Sequence, residues 1–261
     1  MPVLASEALK KIRSGQLTLG LGVHHLRGAA TPLVAKAAGY DWLFIDSEHG
    51  AISTQEIAQI SLAALSVGVA PIVRICAGAL DEGTRALDNG ALGIVVPHVD
   101  TVEQARALID AFRYHPMGHR SAGGSNAQFG YRPPPAPELQ KVLNEQILVI
   151  PMIETPQAVE HADAIAALDG IDALLIGTND LALEMGIAGQ LGHEKVQAAY
   201  RRVAEACRKH NKVLGMGGVY EHELMSRYIG MGARLILSGS DHAFLLDGAN
   251  RRSQFLHGLA K

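Results

Sequence analysis

Only two cysteines occur in 261 residues, Cys76 and Cys207, far apart and with no C-x-x-C spacing. That scarcity argues against a disulfide framework or a thiolate zinc site and fits a reducing cytoplasm. Basic charge is also short: 23 lysines and arginines against 26 aspartates and glutamates leave a net charge of −3. No basic excess remains to neutralise phosphates, so neither nucleic acid nor a membrane surface is expected as a partner. The opening MPVLASEALKKIRSG has no apolar core after its basic residues, and no uninterrupted apolar run is long enough to span a bilayer. Missing too are G-x-G-x-x-G after the first strand, the G-x-x-x-x-G-K-[ST] phosphate loop, short repeats and a low-complexity tail. Dinucleotide binding loses its usual signature with them.

What is present is a large apolar core in an alternating pattern. Hydrophobic residues make up 48% of the chain, and its length suits one α/β barrel. Strands are expected at 17–22, 41–46, 70–75, 91–99, 147–153, 171–176, 212–217 and 233–238. Helices are expected at 6–13 with Ser6 as cap, 31–39, 54–68 behind Thr54, 81–90, 101–114 and 138–145. The amphipathic stretch 155–172 adds another, followed by a short turn at 181–185 and helices at 194–210, 221–230 and 241–257. Eight strands alternating with helices predict a single (β/α)8 TIM barrel over residues 1–261 rather than an open sheet. The Gly/Pro-rich stretch 115–137 breaks the rhythm and is too long for a plain connection.

Two strand-like runs end in carboxylates: LVIPMIE at 148–154 and ALLIGTND at 173–180. One helix between them makes a strand–helix–strand unit, so the strands lie parallel and adjacent. Glu154 and Asp180 then emerge side by side at the carboxyl edge, a seat for a hard divalent cation. Other polar residues at strand ends are His24, His25, Arg27, Asp46, Glu48, His49, Arg74, His98, Thr178, Asn179, Ser238, Ser240 and Asp241, with Arg120 and Ser121 in the long loop. Plainer readings stay open. Glu154 and Asp180 suit the first turn of a helix, although Thr155–Pro156 is a better cap and first residue. His49 alone reads as a loop histidine, but D-S-E-H makes it a catalytic candidate. Arg74, inside PIVRI, needs Asp46, Glu48 or an anionic ligand. His24, His25 and His98 are left undecided.

No lysine falls at a strand's carboxyl end, so imine chemistry has no nucleophile there. At this point DWLFIDSEHG, PIVRI, LDNGALGIVVPHV, GHRSAGG, PMIETPQAV, DALLIGTNDLALEMG and GARLILSGSD, in that order, resemble the metal-dependent (class II) pyruvate aldolases. That family includes 4-hydroxy-2-oxoheptanedioate and 2-dehydro-3-deoxyglucarate aldolases, and the likeness spans roughly residues 16–245. A more distant similarity links the chain to citrate-lyase-type acyl-CoA lyases on the same barrel.

The resemblance implies a barrel of the phosphoenolpyruvate/pyruvate type. It implies reversible cleavage of a 4-hydroxy-2-oxo acid to pyruvate and an aldehyde. By it, Glu154 and Asp180 hold a divalent ion, Mg²⁺, Mn²⁺ or Co²⁺, that pyruvate chelates. Amides around Gly177 and Thr178 take the pyruvate carboxylate, Arg74 stabilises the enolate, and His49 moves the aldol proton. Asp88 partners His49 from a neighbouring subunit, because its helix ends at the opposite face of its own barrel. A homohexamer with an exchanged last helix follows. Arg120 and Ser121, in GHRSAGG, are expected to face the aldehyde half. Met152 stands where many members have glutamine, which bears on metal surroundings or substrate preference. The rivals are an acyl-CoA lyase, for which no Arg/Lys cluster is evident, and a non-catalytic barrel retaining the site.

Overall fold

The structure is a computed structural model that describes residues 7–123 and 126–259, so the expected cap Ser6 lies outside it. Eight strands form: β1 Thr18–Val23, β2 Trp42–Asp46, β3 Ala70–Arg74, β4 Gly93–Val96, β5 Leu148–Ile153, β6 Ala173–Gly177, β7 Val213–Gly217 and β8 Ala233–Ser240. They pair in parallel in chain order, and β8 closes onto β1. Around them run α1 Glu7–Arg13, α2 Ala30–Ala37, α3 Thr54–Val67, α4 Leu80–Asp88, α5 Val102–Phe112 and α6 Ala136–Gln146. The circuit continues with α7 Pro156–Ala166, α8 Thr178–Glu184, α9 Glu194–Lys209, α10 His222–Gly230 and α11 Asp241–Gly258. This is a TIM-type barrel. No helix among the described residues is long and apolar enough to cross a membrane.

Every residue of β2 through β6 is buried, which explains their near-continuous apolar runs: barrel side chains cover the inner face and helices the outer. Trp42, Phe44 and Asp46 alternate onto one face of β2. Trp42 fills the lower barrel because Gly20 leaves room; a Cβ there would lie 2.3 Å from the indole. Phe44 sits above it, and Asp46 reaches the mouth. One strand thus passes from packing to chemistry within five residues.

Boundaries shift by one to three residues from expectation at several ends, and the helix expected over 155–172 stops six residues early, at Ala166. Thr54 is the first residue of α3 rather than its cap. Ser53 caps it, in a box where Ser53 N donates to Glu56 Oε2 (2.8 Å) and Glu56 N to Ser53 Oγ (3.3 Å). Thr155 caps α7 with Pro156 at its first position, as expected. The turn placed at 181–185 begins earlier, at Thr178, and puts Asp180 in the first turn of α8.

The long segment after α5 lies at the amino end of the barrel, away from the strand exits, because it leads through α6 into β5. Gln128 anchors it by donating to the carbonyl of Ala91 (3.1 Å) and to that of Leu87. Arg113, only 1% exposed, ties this end together. It donates to the carbonyls of Asn144 and Ile147 (both 2.8 Å) and Gly170 (2.7 Å), and it pairs with Asp172. Removing a buried, multiply bonded cation strands its partners. Arg113→Ala should therefore cost about 3–5 kcal/mol in urea unfolding.

Candidate active site

A pocket of about 170 Å³ opens at the carboxyl end of the strands. His49, Arg74, Gly177, Thr178 and Asp180 line it, together with His24, Phe44, Met152, Asn179, Gly217, Gly218 and Tyr220. Asp46 and Arg74 are register partners on β2 and β3, which puts carboxylate and guanidinium side by side. Arg74 Nε donates to Asp46 Oδ1 (3.0 Å) and Nη2 to Oδ2 (2.6 Å), while Nη1 lies 3.0 Å from Glu48 Oε2. The pairing considered for Arg74 in the sequence is thus present with both acids, and the side chain still faces the pocket. Burial pushes Asp46 upward, yet the Arg74 hydrogen bonds and charge hold it below the ordinary aspartate value. The same guanidinium stacks over Phe44, 5.1 Å from the ring centre.

Glu154 follows β5 and is 1% exposed. Its Oε2 accepts from the His98 amide (2.9 Å), which reaches it because His98 takes a left-handed backbone with φ of 53°. Gly177 lets the carboxylate in: a Cβ there would come 2.4 Å from Glu154 Oε1. Burial first, and the negative charge of Asp180 among the lesser causes, push Glu154 up to about 6. Glu154 and Asp180, two carboxylates close enough at the barrel mouth for the charge of one to raise the other, make a hard-oxygen set suited to a divalent cation. Among the described residues no cluster of three metal-binding side chains is present.

Thr178 is buried, and its hydroxyl is committed. It donates to the Gly217 carbonyl (2.7 Å) and meets the Tyr200 hydroxyl (2.7 Å), stapling the ends of β6 and β7 together. That leaves its backbone, at the start of α8, as the part able to meet a ligand. His49 is different: its side chain is 65% exposed, and Glu48 Oε2 is 3.8 Å away. Asp241 is a structural clamp, since its Oδ2 accepts from the amides of His24 (3.0 Å), His25 (2.7 Å) and Leu26 (2.6 Å).

Asp88, Arg120 and Ser121 are not brought to this pocket. Asp88 ends α4 at the amino end, where Arg120 Nη2 donates to its Oδ1 (2.8 Å). Arg120 is nearly buried there and lies over Tyr114, 4.9 Å from the ring centre. The expectation that this loop faces the substrate therefore fails within one chain, because a loop between helix and strand returns to the wrong end of a barrel. Sequence reasoning missed Tyr220, Phe44 and the Gly217–Gly218 floor; G-M-G-G-V-Y after an apolar run was the available signal.

Charged groups gathered where parallel strands exit a closed barrel define an enzyme of the TIM-barrel class. The chain belongs to the HpcH/HpaI aldolase/citrate lyase family, whose model matches residues 26–247. It is 37% identical over 245 residues to a 4-hydroxy-4-methyl-2-oxoglutarate aldolase of Hapsidospora irregularis, covering 92% of this chain and 90% of that one. It is 36% identical to a hydroxypyruvate/pyruvate aldolase of Delftia acidovorans, covering 85% and 83%. The crystal structure of an HpcH/HpaI aldolase from Desulfitobacterium hafniense superimposes with a TM-score of 0.89 at 30% identity, covering 95% of each chain.

Glu154 couples the stability of the fold to pH. Its folded pKa lies above its unfolded value, so the folded state binds the extra proton and is favoured at low pH. That contribution is complete below about 4.5 and is lost as pH rises past about 6, a change of about 2 kcal/mol. Chelator-treated protein minus Glu154→Gln, unfolded in urea from pH 4 to 8, should show that loss. Gly177→Ala, whose methyl would displace Glu154, should lower activity at least about tenfold with the fold intact by circular dichroism.

Proposed function

We infer that this chain reversibly cleaves a 4-hydroxy-2-oxo acid to pyruvate and an aldehyde, through an enolate of pyruvate held in the pocket. The observation that carries this reading is the buried Glu154, raised by burial and by Asp180, packed behind the pocket-lining Gly177 and within the field of the acid-locked Arg74. Relatives named for 4-hydroxy-4-methyl-2-oxoglutarate and for 4-hydroxy-2-oxovalerate act on 2-oxo acids of this kind. The barrel reads as the phosphoenolpyruvate/pyruvate type, and the enzyme as a class II, metal-dependent aldolase.

Glu154 and Asp180 would hold the divalent ion, Mg²⁺, Mn²⁺ or Co²⁺. When bound, it supplies a Lewis acid for the 2-oxo group and the charge that develops on it. The donor set fits: both are hard oxygens, and a cation offsets the burial and the lesser Asp180 repulsion that raise Glu154. Backbone N–H groups at Gly177 and Thr178 take the pyruvate carboxylate. Arg74, unable to swing while Asp46 and Glu48 hold it, presents fixed positive charge to the oxyanion. His49, exposed at the rim, takes the C4 hydroxyl proton during cleavage and returns it during addition.

Asp88, Arg120 and Ser121 enter from another copy. In their own chain they sit at the far end of the barrel, and α11 buries only Asp241 while exposing Leu245 (69%), Leu246 (57%) and Phe255 (61%). A helix with such a face is suited to exchange in a homohexamer, in which a neighbour's Asp88 partners His49.

The test is exchange of pyruvate methyl protons in D₂O, with chelator-stripped protein and then with Mn²⁺ or Mg²⁺. Exchange should appear only with metal, fall at least about a hundredfold in Arg74→Lys, and vanish in Glu154→Ala. Exchange unaffected by chelator would sink the metal reading. Co-expressed Asp88→Ala and Glu154→Ala, each inactive alone, should recover cleavage in mixed oligomers; no recovery would place Asp88 outside a shared site.

A further inference from the structure

In the proposed reaction the pyruvate half lies on the β5–β6 side of the mouth, by Glu154, Gly177, Thr178 and Asp180. The acceptor half then meets the opposite side, since β1 stands across an eight-strand barrel from β5. His24 and Leu237 line that wall, with Phe44 beside them. His24 supplies its polar group. Its Nδ1 lies 3.2 Å from Asp46 Oδ2, with the side chain 22% exposed. A ring nitrogen facing a carboxylate carries the proton, so the diverging Nε2 keeps the lone pair. Burial holds the imidazole below the ordinary histidine value despite Asp46 and Asp241, which keeps it neutral. The Asp241 clamp fixes the backbone behind it, and the His242 ring meets it edge-on at 5.3 Å.

Charge points the same way. No lysine and no second arginine lines the pocket among the described residues. The guanidinium of Arg74 is already shared by Asp46 and Glu48. Arg120 lies at the other end of its own barrel, where Asp88 holds it through Nη2. Within one chain, an acceptor with its own carboxylate meets acids and a guanidinium already shared by two of them, whereas a neutral hydroxyl meets an imidazole lone pair.

We propose that His24 determines acceptor specificity, selecting a neutral aldehyde with a hydroxyl beside the carbonyl by accepting that hydroxyl's hydrogen bond on Nε2. The proposal rests on the aldolase reading. Its test uses the full chain with Mn²⁺ and pyruvate, and compares glycolaldehyde with propionaldehyde, which replaces the hydroxyl by a methyl at equal size, and with glyoxylate. Wild type should favour glycolaldehyde over propionaldehyde by about tenfold, the worth of one neutral hydrogen bond, and should disfavour glyoxylate. His24→Phe should bring the ratio near one by losing rate on glycolaldehyde, and His24→Gln, which keeps an acceptor oxygen, should restore part of it. An unchanged ratio in His24→Phe, or a wild-type preference for glyoxylate or propionaldehyde, overturns the proposal while methyl exchange upholds the aldolase. If His24→Phe does not fold, His24→Gln set against His24→Leu gives the same comparison. Wild type with neither exchange nor condensation overturns both.

Discussion

The Asp46–Arg74 pair is the interaction on which the mouth of this barrel depends. Parallel register sets the two residues side by side, and burial makes separation costly, because either charge alone would lack solvent. From this pair the rest of the acidic wall follows. Glu48 closes on the third guanidinium nitrogen, and the His49 amide, 3.2 Å from Asp46 Oδ1, fixes the start of the loop that carries it. His24 leans on the same carboxylate. Phe44 lies under the guanidinium and Trp42 under Phe44, so the chemistry stands on a column of core packing.

The two ends of the barrel divide their work. At the amino end, Arg113, Asp172 and Gln128 satisfy loop backbone groups and hold helices to strands, which is a stability role. At the carboxyl end, Glu154 is left with few donors beside a like charge, an arrangement that weakens the fold at neutral pH. A barrel tolerates that cost because its large core lies elsewhere. Thr178 and Tyr200 show how closely support and site adjoin: their hydroxyls lock the β6–β7 floor and leave the α8 backbone facing the pocket.

Much of the site was legible in the sequence because strand ends are. An apolar run ending in Glu154, and another ending near Asp180, announce carboxylates at a sheet edge. Arg74 in PIVRI announces a buried charge in need of acids, and both acids were in view. Asp241 was visible as a strand-end polar residue, but its work as an amide clamp for 24–26 was not, since those partners are more than two hundred positions away. Arg120 and Ser121 were legible as loop residues, but their place at the far end of their own barrel was not. A loop's sequence shows that it is long and rich in Gly and Pro, and it does not show which end of the barrel it occupies until the strand and helix order is counted.

By itself the sequence determined the fold class and the order of its elements, because period and turn residues are local properties that tertiary packing here reinforces. It also determined which strands end in charge. Only the tertiary structure decided which charges neutralise one another, why Glu154 is raised while Asp46 is lowered, and that His24 faces the pocket. Those outcomes depend on distance and burial across strands far apart in the chain, and Coulomb energy and desolvation are set by that geometry.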